Sequence, residues 1–247
     1  MSSMDTARET TRAVKETVQA AGAFFFAPHT VARGAELGLD GVTLYVAGRG
    51  GVLGDVDDAA VVAAFHHFTA DALLPLWQGG RKVAPPERVG ALYAQCARDW
   101  GREHLADLPE AARLADLTTT IVRANDLGAL APLYSAWRGV PLADDAPARL
   151  AQNLQTLREH RGGLHILALA AHRLTAVEAQ AAEASPYLEF YGHAKPFPQV
   201  TDELTARRQA AEDTTDELVA AAYAVLDEAE SAEFAALAPA LGARLAH

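Results

Sequence analysis

Apolar and polar positions recur at helical spacing along nearly the whole chain, and punctuation residues cut that pattern into elements. The first amphipathic run covers residues 4–26 and ends on Phe24, Phe25 and Phe26, which span most of a helix circumference and need cover on several sides. Pro28 fits the first turn of a second helix and Gly38 its exit. Residues 40–47 form a short apolar segment that stops at a turn, Gly48-Arg49-Gly50-Gly51. Asp57 or Asp58 caps a helix over 59–68, and Thr69 or Asp71 opens another that ends at Trp77, before a loop over 78–86. Helices follow over 87–105, 109–124 and 127–137, with a loop at 139–146. The second half reads as a long helix over 147–174, a shorter one over 175–184 and an irregular stretch, 185–198, rich in proline and aromatics. A long helix over 201–230 and a last one, capped by Ser231 and kinked at Pro239, complete it.

Composition sharpens this into a fold class. Of 247 residues 55 are alanine and only 7% are aromatic, a balance that favours packed helices because alanine is the best helix former and a poor strand former. The expectation is an all-α protein of two helical halves, residues 1–138 and 147–247, packed as one unit. A chain of this length buries enough surface to fold without disulfides, and the one cysteine, Cys96, has no internal partner, which points to a reducing, cytoplasmic setting. The polar amino-terminal stretch does not read as a signal sequence, and no apolar run reaches the ~18–20 residues that span a bilayer, so no membrane partner is expected.

Charge then limits the partners. Three lysines and 18 arginines face 32 acidic residues, a net −11 that argues against a phosphate-binding surface. From Pro198 to the end ten acids face three arginines.

One helix has a readable polar face. On a wheel at ~100° per residue, Leu150, Leu154, Leu157, Leu164 and Ala168 form an apolar stripe, and Arg158, Arg161, His165 and His172 fall in an arc of ~60° that overlaps it. Charged groups turned toward a buried direction must meet carboxylates, water or an anionic ligand. Two readings follow: a structural ion-pair network, or the wall of a pocket. Gly162 and Gly163 let a helix or a ligand approach the backbone, while Glu159 and His160 project away from the arc and are expected in solvent. His66 and His67 are adjacent, so at most one joins His165 in a common site. A metal held by His29, His66 or His67, His165 and His172 lacks the usual ligand spacings, since no HExxH or CxxC occurs. Cys96 reads as a small core residue. No GxSxG, Walker A or dinucleotide fingerprint is present, and Arg49 is expected on a glycine turn.

Residues 23–56, 61–77, 153–169 and 204–226 together resemble an actinobacterial family of helix-turn-helix-fold proteins, distantly similar to the winged-helix antibiotic-resistance regulators. The run Asn153 to Leu169 carries the resemblance furthest, through Arg158, Glu159, His160, Arg161, Gly162 and His165. It implies two winged-helix-like halves and a long dimerisation helix over 204–226. Against that pattern His29 replaces an acid, His67 replaces an asparagine, a histidine near Ala21 is missing, and Gly163 stands where an aspartate is expected. The stretch that should hold a recognition helix and wing, residues 185–200, is too short and too rich in proline for both, so the wings are expected to be degenerate or absent and DNA is not expected as a partner.

The resulting expectation is a small-molecule-binding protein, either an enzyme of secondary metabolism using histidine acid/base chemistry at His165, His29 and His67 or a protein that sequesters a metabolite without turnover. Arg158, Arg161, Arg49, His172, Phe25 and Phe65 are the expected ligand contacts. No cofactor is required; haem or a metal on His165 is one alternative, and a ligand-responsive transcription regulator another. Leu218, Ala221, Ala222, Val225 and Leu226 give an apolar face expected to form a homodimer.

Overall fold

Alanine-rich helical propensity prevails throughout the computed structural model, which describes residues 2–246: every regular element is helical, and no strand occurs among the described residues. Twelve α-helices follow in order: α1 Ser3–Gln19, α2 Pro28–Leu37, α3 Gly41–Gly51, α4 Asp58–Ala64, α5 Ala70–Val83, α6 Pro86–His104, α7 Ala111–Ala124, α8 Pro132–Arg138, α9 Ala146–Ala171, α10 Ala176–Ala182, α11 Asp202–Tyr223 and α12 Glu228–Leu245. Short 3-10 turns, Ala20–Phe24 and Gly128–Leu130, lengthen α1 and precede α8. Residues 183–201 form turns and coil, so the winged-helix β-ribbon is absent among the described residues. No described helix is long and apolar enough to cross a membrane.

Several boundaries differ from the sequence pattern, each for a packing reason. The first helix tightens into a 3-10 turn after Gln19; Phe24 and Phe25 are buried, but Phe26 is 49% exposed. The glycine cluster Gly48-Arg49-Gly50-Gly51 is no turn, because α3 runs straight through it. A Cβ at Gly48 would stand 2.7 Å from the Tyr93 ring, and one at Gly51 would stand 2.6 Å from the Gly90 amide. Gly51 therefore lets α3 and α6 meet backbone to backbone, and Gly48 makes room for the Tyr93 side chain. The expected loop over 78–86 is helical as far as Val83, since Gly80 lies against Ala47 of α3. The long helix over 201–230 breaks after Tyr223, where Asp227 and Glu230 form a capping box that starts α12 ahead of Ser231.

The core is continuous from Ala7 to Leu245, and α9 runs through it, packed against α6, α7, α8 and α11. Its leucines face several neighbours, and its polar side chains are buried as well. Asn153 Nδ2 donates to the Ala115 carbonyl at 3.2 Å and to Thr119 Oγ1 at 2.7 Å, and Gln152 Nε2 donates to the Pro141 carbonyl at 3.0 Å. Burial all round also overturns the solvated placement of Glu159 and His160, which are 2% and 1% exposed. Along the end of α11 and the turn after it the expected dimer face divides: Ala222 and Leu226 are buried within the chain, whereas Leu218, Ala221 and Val225 are exposed.

Glycine substitutions separate close packing from open space. Gly51→Ala is expected to destabilise by about 1–3 kcal/mol, since backbone atoms of α6 cannot yield to a methyl group. Gly162→Ala, with nothing within 4 Å of the added Cβ, is expected to stabilise by about 0.5–1 kcal/mol. Urea denaturation of the two variants measures both.

Candidate functional site

A cavity of about 810 Å³ opens between α1, α3, α9, α11, the α4–α5 corner and the segment that joins α10 to α11. Its size falls in the range of small-molecule sites. Five cations, Lys15, Arg49, Arg158, Arg161 and Arg208, line it with four carboxylates, Glu16, Glu159, Glu183 and Glu212. In a chain of net charge −11, this wall has a positive balance.

The deepest part is a closed ion pair. Arg49 projects from α3 and meets Glu159 of α9 with two bonds, Nε to Oε1 at 2.6 Å and a terminal nitrogen to Oε2 at 2.8 Å. Tyr45 Oη accepts from the same guanidinium at 3.1 Å, and Gln155 Nε2 donates to Glu159 Oε1 at 2.7 Å. Burial alone would lower the Arg49 pKa, yet the Glu159 carboxylate holds it above its ordinary value. Likewise burial would raise the Glu159 carboxyl, but the Arg49 guanidinium keeps it ionised below the usual range. Arg49 thus lines the cavity from a helix rather than a turn, and it already has a partner.

Along the α11 side lies a second network. Arg161 binds Asp216 at 2.8 Å and also Glu212, which is shared with Lys15 and with Arg208 at 2.8 Å. Burial favours a neutral Glu212, but Lys15 and Arg161 pull its pKa down to about 2. One side chain, Glu183, places a carboxylate oxygen near Glu212 and His165, and these three groups lie close enough to share a cation. Glu183 and Glu212 are, however, already bonded to Arg208, Arg161 and Lys15, so the cluster is neutralised by guanidinium and ammonium groups and its charge does not suit a divalent metal.

Arg158 differs from the other arginines. Its guanidinium lies 4.8 Å over the Phe25 ring, and Nε donates to the Gln19 carbonyl at 3.3 Å. Among the described residues it forms no ion pair, so its terminal nitrogens are left to the cavity that the residue lines.

Three imidazoles complete the site. His66 and His67 close the α4–α5 corner, and the ring of His67 lies 6.3 Å from that of His165 on α9. Burial lowers His66. Burial, then the neighbouring His165 and His66, pushes His67 down to about 3, and burial with nearby Arg208 lowers His165 to about 4. All three are neutral at pH 7. Aromatic groups, Tyr45, Phe65, Phe68, Tyr187 and Tyr191, supply the apolar wall.

Six of the expected site residues therefore line one cavity: Arg49, Phe65, His67, Arg158, Arg161 and His165. Phe25 lies beneath Arg158. His29 is elsewhere, with Nε2 3.0 Å from the Cys96 carbonyl, and His172 sits at the end of α9 with Nε2 2.8 Å from Thr214 Oγ1; neither lines the cavity. Burial raises the Cys96 thiol to about 11, in keeping with a core residue. Sequence reading missed Glu159, Tyr45, Gln180, Arg208 and Glu212. Only the density of polar residues on α9, Gln152, Asn153, Gln155 and Glu159 together, signals that this helix is buried on more than one side.

The buried neutral imidazoles have a thermodynamic signature. His67, His165 and His160, the last lowered to about 4 by burial, stay unprotonated in the folded chain while the unfolded chain takes up protons below about pH 6.5. Their contribution is therefore complete above pH 6.5 and is lost as the pH falls toward 4, with a slope of up to about 1.4 kcal/mol per pH unit for each ring. Urea midpoints measured between pH 7 and 4 should fall steadily in the wild type, and less steeply in His165→Gln.

Comparison with known proteins adds the lineage. Neither a curated protein nor a solved structure matches the chain. A family model described as a helix-turn-helix family matches residues 7–194, a span that holds α2, α3, the paired imidazoles and the whole of α9. The chain belongs to this helix-turn-helix family.

Proposed function

We propose that this protein binds a small anionic molecule in the cavity and acts on it as an enzyme, with His165 as the acid/base group. The observation that carries this reading is Arg158: a guanidinium stacked on Phe25, facing a cavity of about 810 Å³, and without a carboxylate partner among the described residues. A guanidinium so placed fits a carboxylate or phosphate group of a ligand. The aromatic wall then packs the apolar body, and the neutral imidazoles are in the state that accepts a proton at pH 7. Arg49, Arg161 and Arg208 are bound to carboxylates and act as the frame of the site, not as its ligand contacts.

A transcription regulator is the reading favoured by the family's description alone. Against it, residues 185–200, where the recognition helix and wing are expected, hold turns and coil and no helix. The acidic carboxy-terminal region also lacks the clustered cations that DNA contact needs.

The two kinds of arginine should separate on mutation. Arg158→Gln is expected to leave the melting temperature within about 2 °C, as surface-like truncations do, while the small molecules that copurify with the wild type disappear from its mass spectrum. Arg161→Ala strands Asp216, while Glu212 keeps Lys15 and Arg208, and is expected to cost about 3 kcal/mol, read from urea denaturation. Copurified molecules unchanged in Arg158→Gln would refute the reading.

A further inference from the structure

The paired imidazoles are held in opposite senses. Thr215 Oγ1 donates its proton to the Ala211 carbonyl at 2.7 Å, so toward His165 Nδ1, 2.9 Å away, it can only accept. Nδ1 of His165 therefore carries the ring proton, and Nε2 carries a lone pair. At His67 the arrangement is reversed: the Gln180 amide Nε2 faces Nδ1 at 3.4 Å and donates to it, which places the ring proton of His67 on Nε2. Both residues line the cavity, and neither Nε2 has a hydrogen-bond partner among the described residues, whereas the Nε2 of His66 is sealed from solvent. The ring centroids are 6.3 Å apart and the planes inclined by 37°, a spacing at which both imidazoles can reach the same small ligand in the cavity.

We propose that His165 and His67 form a base and a hydrogen-bond donor for proton transfer at a carbon next to a carbonyl, in a substrate that also carries a carboxylate. This rests on the small-molecule reading above and names its substrate class. His165 Nε2 removes the proton from the carbon, and the electron pair of that C–H bond becomes the π bond of an enolate while the carbonyl π pair moves onto oxygen. His67 Nε2–H hydrogen-bonds that oxygen without giving up its proton, because a neutral imidazole is the right donor for an enolate. The proton then returns from His165 to carbon or to oxygen, so the ring is restored and nothing is oxidised or reduced. Arg158 holds the carboxylate, and Tyr45 and Tyr191 pack the remainder.

The groups that face the pair are His66 at its corner, Arg49 from α3, Arg161 from α9, Lys15 from α1, Glu183 after α10, and Arg208 and Glu212 from α11. Burial keeps both rings neutral. A substrate carboxylate seated beside them raises the proton affinity of His165, which strengthens the base only when substrate is bound.

Phenylpyruvate has an aromatic body, a carboxylate and an enolisable carbon, and serves as the probe. Nitrogen-15 NMR of the full chain, assigned with His165→Gln and His67→Gln, should find the ring proton on Nδ1 of His165 and on Nε2 of His67. In D2O the wild type should exchange the benzylic protons of phenylpyruvate, and His165→Gln should lose about 100-fold or more of that rate. His67→Phe should lose a comparable factor, and His67→Gln, whose amide can still donate, should recover part of it. Equal exchange by wild type and His165→Gln, or either ring in the other tautomer, would overturn the proposal. Phenylpyruvate bound in equilibrium dialysis but not exchanged overturns this proposal alone. A wild type that neither binds nor exchanges it overturns the substrate class, while the copurified molecules decide the reading of the cavity separately.

Discussion

The Arg49–Glu159 pair sets the terms for the rest of the molecule. A carboxylate 2% exposed in the middle of a helix is tolerable only if a cation reaches it with good geometry, and that cation comes from a helix more than 100 residues away in sequence. Arg49 arrives in register because α3 remains helical through four residues that include three glycines, which are packed against Tyr93 and Gly90 of α6 and against Phe65 and Trp77. Close backbone contact, a rigid α3 and a satisfied Glu159 are thus one constraint. Trp137 adds to it by donating from Nε1 to the Arg49 carbonyl at 3.2 Å.

Much of the frame was legible along the chain. Helix starts were the clearest part, since Asp57, Thr69, Thr175 and Thr201 all cap as their positions suggest, and Pro28 and Gly38 bracket α2. Glycine was the main source of error: read locally, Gly48 to Gly51 and Gly79-Gly80 mean turns, but in a helix crossing they mean contact, and a sequence does not state which helix will cross. The same limit applied to Glu159 and His160. A wheel assigns one buried stripe, and α9 has neighbours on every side.

The site was legible in part for a related reason. The arc Arg158, Arg161 and His165 does face one cavity, yet its members divide by partners that come from α11 and could not be assigned without the fold. His29 and His67 were singled out alike as departures from the family pattern, and only His67 lines the cavity. Gly163 has a physical explanation: a Cβ there would lie 2.5 Å from that of Ala131, so an aspartate does not fit.

The segment between α10 and α11 has its own role in the architecture. It is fastened at two points, by the Thr69 amide on the Tyr191 carbonyl at 2.8 Å and by His193 Nε2 near the His67 carbonyl at 2.9 Å, and it brings Tyr187 and Tyr191 to the cavity. The cavity therefore has walls of two kinds. Those on α3 and α9 are held by the Arg49–Glu159 and Arg161–Asp216 pairs and by the close contacts of Gly48, Gly51 and Gly163. The wall from residues 185–191 is built of turns: Leu188 is buried and Tyr191 packs on Phe68, whereas Tyr187 is 57% exposed. Helical walls and a wall built of turns thus come from separate stretches of chain, so that Tyr187 can vary in the second without moving Arg158 or His165 in the first.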